Sequence, residues 1–311
     1  MALPRTESLH PDAGGIDALP GAEVLRRLLG GQQAALAAVE PAIPALEAAA
    51  DLMAAGLRAG GRLVYAGAGS SALMAMADGL ELPGTYGVDP GRIVILMAGG
   101  MPRDGRMAGD TEDDTAEALA AAGTIRAGDV VIAVAASGAT PYPMVIAREA
   151  RARGASVIAI ANNPGAPLFA LADVAVCLPT PPEVIAGSTR MGAGTAQKAA
   201  LNLASTLMGI RLGQVHDGMM VGLVADNAKL RGRARGMVER IAGCDGAAAG
   251  AALAAAGGAV KPAVLIARGL SPDAARELLD SCDGYLRAAL ARINDPGRNA
   301  RPDQTNHGSE R

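Results

Sequence analysis

Gly61-Arg62-Leu63-Val64-Tyr65-Ala66-Gly67-Ala68-Gly69-Ser70-Ser71-Ala72 is the stretch on which the fold turns. A short apolar run, Arg62–Gly67, ends in a glycine turn, and Ser70 and Ser71 stand where a helix begins. A run that is apolar at nearly every residue, rather than at every second one, belongs to a strand covered on both faces. Further runs of this kind lie at Arg92–Ala98, Asp129–Ala135, Ser156–Ala161 and Val174–Leu178. Helix-period segments separate them at Ser71–Leu80, Thr111–Ala122 and Pro143–Arg153, and a Pro-containing link with a short helical piece precedes the last strand. Strands alternating with helices predict an α/β fold with a five-stranded parallel sheet and right-handed crossovers.

Working outward, residues 1–19 read as a flexible arm and 20–60 as N-terminal helices, divided by Pro41 and Pro44. Beyond the last strand, Pro179–Ser188 predicts a loop and Thr189–Leu212 a long helix. Helix is expected to continue over 214–240, burying Met219, Met220, Leu223, Leu230 and Met237. The sheet domain is thereby placed at 61–225 and a small C-terminal helical domain at 226–292. Within the latter, helical pieces are read at Ala247–Ala256, Lys261–Ala267, Ser271–Leu279 and near Tyr285–Arg292. Ser271-Pro272 has the form of an N-cap followed by a first-turn proline. Residues 293–311 read as a disordered tail.

The 311 residues are half hydrophobic, with 41 Gly, one Phe and no Trp, so Ala, Val, Leu, Ile and Met must fill the interior. The net charge of −3, with Lys and Arg dispersed, argues against a nucleic-acid groove. No apolar run is long enough for a bilayer span, and residues 1–20 lack an apolar signal core, so a cytoplasmic protein with no membrane contact is expected. Cys177, Cys244 and Cys282 are too few and too scattered for a disulfide framework. With His10, His216 and His307 also far apart, no metal site is expected.

Three loops carry the chemistry. Gly67–Ala72 matches G-x-G-x-x-A, the dinucleotide fingerprint. The second strand, however, ends Met97-Ala98-Gly99-Gly100 and lacks the acid that would hold a ribose, which counts against NAD. A turn needed only for tight packing is the plain alternative. Ala136-Ser137-Gly138-Ala139-Thr140-Pro141 and Gly187-Ser188-Thr189-Arg190, with Lys198 beyond, place hydroxyls before helices again. Helix N-termini bind anions, although each loop alone is equally well read as a cap. Together, at strand C-termini, they point to a phosphorylated ligand. If the strand order is 2-1-3-4-5, Ser70, Ser71, Ser137 and Thr140 surround one phosphate at the switch point.

Two glutamates stand beyond these turns, Glu81 in Glu81-Leu82-Pro83-Gly84-Thr85-Tyr86-Gly87 and Glu112 in Asp110-Thr111-Glu112-Asp113-Asp114. Glu112 at a helix start would complement the dipole without any chemistry. Glu81 reads as the end of a helix, where a carboxylate is electrostatically unfavoured, or as a solvated surface residue.

At these residues the chain resembles the sugar isomerase (SIS) fold and, within it, the N-acetylmuramic acid 6-phosphate etherases. The resemblance rests on GRLVYAGAGSS at 61–71, ELPGTYGV at 81–88, TEDD at 111–114, AASGATPY at 135–142, NNPGAPL at 162–168 and EVIAGSTRMGAGTAQKAALN at 183–202, and covers roughly 5–292. It implies a three-layer SIS sandwich and a carbon–oxygen lyase needing no cofactor. Ring opening of the sugar gives an aldehyde that acidifies the C2 proton; a base removes it, D-lactate leaves C3, and water adds. Glu81 and Glu112 map onto the family's acid/base pair. Ser70, Ser71, Ser137, Thr140, Ser188, Thr189, Arg190 and Lys198 become substrate contacts, and a homodimer is implied. The chain departs from the family at Ala72-Leu73, Ala139 and Gly192, where Gly-Arg, Arg and Lys are usual. Those neutral positions keep two alternatives in play: a non-catalytic sugar-phosphate regulator, or a lyase or isomerase for another sugar phosphate.

Overall fold

The computed structural model describes residues 5–102, 105, 107–225 and 227–294. They form two compact units: residues through Pro83 with Val88–Arg211, and Gly84–Gly87 with Leu212 onward. The break therefore falls earlier than the sequence reading placed it. The helix expected over 214–240 begins only at Ala228, behind an Asn227 side chain that accepts from the Leu230 N–H at 2.9 Å. Before it, Gly213 and Gly218 adopt φ of 69° and 74°, and His216 pairs with Met219 in an isolated antiparallel bridge. Met219 and Met220 are only partly buried there, while Leu223 and Met237 are core residues as expected.

The first unit is built on β1 (Leu63–Gly67), β2 (Ile93–Met97), β3 (Val130–Ala135), β4 (Ser156–Ala161) and β5 (Val174–Cys177), ordered β2-β1-β3-β4-β5. Every pairing is parallel. Its helices are α1 (Gly21–Ala37), α2 (Ile43–Arg58), α3 (Gly69–Tyr86, of which the residues through Pro83 belong to this unit), α4 (Thr115–Ala122), α5 (Pro141–Ala152) and α6 (Gly192–Arg211). Pro41 lies in the 3-10 turn between α1 and α2, and Pro44 in the first turn of α2. Small side chains from alternate strand positions, Ala66, Ala133 and Ala159 among them, let Tyr142 and Ile146 of α5 pack closely on one sheet face.

The second unit holds α7 (Ala228–Ala242), α8 (Gly246–Ala255), α9 (Val260–Ala267), α10 (Pro272–Asp280) and α11 (Leu286–Asn294) around a core of its own that includes Val238, Val264 and Leu286. Ser271 caps α10 ahead of Pro272, as its sequence foretold. The expected tail lies outside the described residues from 295 onward.

Three local expectations change. Residues 5–18, read as a loose arm, make three 3-10 turns, and Thr6 is buried. α3 does not stop near Leu80 but runs through Pro83 to Tyr86. Pro83 supplies no N–H to the Gly79 carbonyl four positions back, so α3 passes this turn one hydrogen bond short. Gly79 is required by packing, since a Cβ there would stand 2.9 Å from the Tyr65 ring and 3.0 Å from Ile95 Cδ1. Finally, α4 begins at Thr115 rather than Thr111, because Asp114 is its cap, accepting from Ala116 and Glu117 N–H at 3.0 and 2.9 Å.

At the N-terminal ends of β1 and β3 Asp129, 2% exposed, receives the Arg62 guanidinium at 2.6 Å and the backbone N–H groups of Arg62 and Arg126. Burial pushes its carboxyl up, but these donors and the Arg62 charge outweigh burial and hold it below the usual range. Its stabilisation is whole above the unfolded carboxyl's value, about pH 4, and is lost as pH falls through the lower folded value. Asp129→Ala, which strands a half-buried guanidinium, should cost about 3 kcal/mol in urea unfolding at pH 7. Between the parent and the variant this gap should shrink on acidification below about pH 4.

Candidate active site

The order β2-β1-β3 makes the gap beyond the C-terminal ends of β1 and β3 the topological switch point, where open α/β sheets bind ligands. Gly67 ends β1 tightly against the next strand and helix: a Cβ there would lie 3.0 Å from the Val134 carbonyl and 3.1 Å from Ala72. Its glycine is a packing requirement. The first turn of α3 follows, with Ser71 5% exposed and Ser70 partly exposed. No side chain among the described residues accepts from the N–H groups of Gly69, Ser70 or Ser71, so this helix end offers its amides and partial positive charge to a ligand.

Across the gap, Ser137 Oγ and Thr140 Oγ1 are 3.2 Å apart, and Ser137 Oγ accepts from the Ala139 N–H at 3.1 Å. Gly138 between them has φ 68°, and a Cβ there would come within 2.3 Å of Ala166 Cβ. This loop differs from the first in what it can offer. Pro141 and Pro143 have no N–H, the Tyr142 N–H donates to the Glu112 carbonyl at 3.0 Å, and the Met144 N–H donates to Thr140. The N-terminus of α5 is thus closed from Pro141 onward, and the loop offers the Ser137 and Thr140 hydroxyls to an anion.

The third loop is closed more firmly. Glu183, 5% exposed, accepts from the Gly192 and Ala193 N–H groups at 2.9 Å each, and the Gly194 N–H donates to the Thr189 carbonyl at 2.8 Å. A protein carboxylate occupies the α6 end that Ser188 and Thr189 were expected to prepare for a phosphate. It also leaves little room at 192: a Cβ on Gly192 would meet Ala35 Cβ at 3.0 Å and Glu183 Oε2 at 3.1 Å. The position at which the resemblance leads one to expect Lys is sterically tight.

Residues the sequence reading did not assign hold these loops together. Asn163 Nδ2 donates to the Ala136 carbonyl at 3.1 Å and to Thr6 Oγ1 at 3.2 Å, while its Oδ1 accepts from the Arg5 N–H at 2.8 Å. Glu7, next along, lies against Gly187, whose Cβ position is 3.7 Å from Glu7 Oε2. The N-terminal segment thus bridges the Ser137 loop and the Gly187 loop. Its only sequence trace was Asn162-Asn163 at the start of the family-like stretch at 162–168.

Glu112 is brought to the gap by its backbone bond to Tyr142; its side chain is exposed, with no hydrogen bond or ion pair to a described residue. It lies ahead of the Asp114 cap, in a turn, so it is not the helix-start acid its neighbours imitated. Tyr142 itself is buried, and burial, then the Glu117 charge, pushes its phenol up to about 12. Glu81 is exposed within α3, five residues before its end, and so is not a helix-terminal carboxylate. Eleven residues separate it from Ser70. At about 1.5 Å of rise per residue that is roughly 16 Å along the helix, so one protomer does not bring Glu81 to its own Ser70 end. Arg190 is exposed and unpaired among the described residues. Lys198 lies elsewhere, lining a groove between α1, α2 and α6 with Leu36, Ile43 and Leu203.

The sheet order, the open α3 end and the facing hydroxyl loop define a sugar-phosphate fold of the SIS class, and residues 32–162 match the SIS domain family. A Bacteroides fragilis protein described as a phosphosugar isomerase involved in capsule formation shares the fold, with a TM-score of 0.51 and 22% identity over 62% of this chain and 91% of that one. Sequence relatives define the family more narrowly. N-acetylmuramic acid 6-phosphate etherases of Deinococcus radiodurans, Streptomyces avermitilis and Serratia proteamaculans are 45%, 41% and 40% identical, each over 92% of this chain and over 95%, 93% and 98% of their own lengths. The chain belongs to the N-acetylmuramic acid 6-phosphate etherase family. None of these three relatives is named as a regulator or an isomerase.

Glu183→Ala removes the carboxylate from two buried N–H groups. It should lower unfolding stability by about 2 kcal/mol, read as a shift in urea midpoint at unchanged slope.

Proposed function

We propose that this protein cleaves the D-lactyl ether of N-acetylmuramic acid 6-phosphate, releasing D-lactate and N-acetylglucosamine 6-phosphate by elimination and water addition. The observation that carries the reading is the Tyr142–Glu112 backbone bond, which sets an unengaged carboxylate beside the hydroxyl loop at the switch point. The phosphate rests on the free amides of the first α3 turn and the Ser70 and Ser71 hydroxyls, with Ser137 and Thr140 opposite. The opened sugar presents its C2 proton and C3 ether oxygen to carboxylates. One removes the proton; one protonates the departing lactate oxygen and then assists water. Such groups are worth about 10²–10⁴-fold each. A cytoplasmic enzyme fits this use of a phosphorylated sugar; no helix among the described residues is long and apolar enough to cross a membrane.

The reading includes a homodimer. Leu36, Ile43, Leu203 and Ile210 stay 43–55% exposed around a groove of about 960 Å³ that also holds Lys198 and Glu47. A contiguous apolar face of this kind is unusual on a monomer. The separation of Glu81 from its own Ser70 end gives the second copy a catalytic purpose: Glu81 of the partner subunit completes the crevice that holds Glu112.

With N-acetylmuramic acid 6-phosphate, purified protein should release D-lactate and N-acetylglucosamine 6-phosphate in equal amounts, with solvent deuterium at C2. Glu81→Gln and Glu112→Gln should each lower kcat by at least about 10²-fold with the fold intact. Co-expressing the two variants should restore activity that neither possesses alone, since a hybrid dimer has one crevice with both carboxylates; no restoration would place Glu81 in its own subunit's site. Leu203→Glu should shift the protein to monomers in sedimentation and abolish turnover with it.

A further inference from the structure

Asp78 is a buried carboxylate that the proposed chemistry does not use. It is 3% exposed, and its oxygens accept from the Tyr65 hydroxyl of β1 at 2.8 Å, from Asn202 Nδ2 of α6 at 2.7 Å and from Ser205 Oγ of α6 at 2.8 Å. Burying a carboxylate is costly, and the cost is offset here by three donors from two other elements. Burial, then the Asp78 charge, pushes the Tyr65 phenol well above its ordinary value, so Tyr65 stays a donor through the range in which the protein is folded.

The network sits one turn before Glu81 on the same helix. The turn between them is the weakest in α3. Pro83 supplies no N–H, so the Gly79 carbonyl lacks its helical donor, and Gly79 has no side chain to pack. The fixed point nearest this turn is where α3 meets Tyr65: its ring lies under Gly79 while its hydroxyl reaches Asp78. The ring sets the height of the helix above the sheet. The carboxylate, held by β1 and α6 together, sets its rotation and its position along its axis. Glu81 itself has no hydrogen bond or ion pair to a described residue, so its placement comes from the backbone that carries it. Asn202 also lines the α1–α2–α6 groove, which ties the Glu81-bearing turn to the face on which a second copy is proposed to dock.

We propose that Asp78 is a positioning residue for Glu81: its bonds to Tyr65, Asn202 and Ser205 hold the α3 turn that presents the Glu81 carboxylate to the sugar. This rests on the reading of Glu81 as an acid/base group. A catalytic group displaced by about 1 Å can cost on the order of 10²-fold in rate without altering how the rest of the substrate is held.

The test is steady-state kinetics with N-acetylmuramic acid 6-phosphate on Asp78→Asn, with Tyr65→Phe and Ser205→Ala as milder variants that each remove one donor. Unfolding midpoints and sedimentation are measured on the same preparations. The expected result is a kcat reduced about 10- to 100-fold in Asp78→Asn, and less in the other two, with KM within about threefold of the parent and the dimer retained. Solvent-deuterium exchange at C2 should slow in the same order. Should Asp78→Asn not fold, Tyr65→Phe and Ser205→Ala carry the test alone. A parental kcat in folded variants, or a raised KM at unchanged kcat, overturns the proposal. Glu81→Gln distinguishes the two failures: if it is inactive while the Asp78 network variants run at the parental rate, only the positioning role is lost. If Glu81→Gln turns over normally, the reading of Glu81 falls and the positioning role falls with it.

Discussion

Parallel pairing of β1 with β2 on one side and β3 on the other is the constraint on which the rest of the structure depends. It sets Gly67 opposite both Met97 and Val134, so β1, β2 and β3 end level and the chain must leave β1 and β3 toward different neighbours. The gap this creates has no side chain from either strand to fill it. What closes around it comes from the turns, and their sequence determines whether each can receive a ligand. Packing above β1 is as tight: Tyr65 can lie beneath α3 because Gly79 stands over its ring without a side chain.

A second theme is competition for helix N-termini. A helix end with free N–H groups attracts any available anion, including those of the protein itself. Glu183 takes the end of α6 and Asp114 the end of α4. Two prolines and a backbone carbonyl close the end of α5. Among these four, α3 is the one whose first-turn N–H groups have neither a side-chain acceptor nor prolines in their place among the described residues, and its first turn faces the switch point. On the proposed reading a phosphate is directed to one place by the occupation of the others, which is a more economical account of selectivity than three equivalent cradles.

Much of this was legible in the sequence, and the exceptions share a cause. The strands announced themselves as apolar runs, and Ser271-Pro272 announced α10, because those signals are local. Glu112 was legible as a candidate but not as a non-helical residue: Thr111-Glu112 imitates a helix start, and Asp114 wins because its carboxylate reaches two N–H groups. The segment at 214–227 has helix-like spacing of Met219, Met220 and Leu223, yet Gly213 and Gly218 take conformations that end a helix. Pro83 looked like a stop signal, yet α3 passes it one hydrogen bond short and runs on to Tyr86. Glu183, Asn163 and Thr6 were not assigned roles at all, since each acts on a partner that no periodicity connects to it.

The bonds from Arg5 and Thr6 to Asn163 span 158 and 157 residues of chain. Contacts of such separation are expensive to form from an open chain and are made once nearer pairings have shortened the path. Arg5 and Thr6 must therefore wait for the end of β4 before they can settle against the Ser137 loop. The sheet can assemble in advance of the rim proposed to bind the ligand, and the order of events matters: a chain that has already collapsed around its strands presents the N-terminal segment with a finished surface, so the rim is completed by a tether arriving from outside and not by the core that supports it.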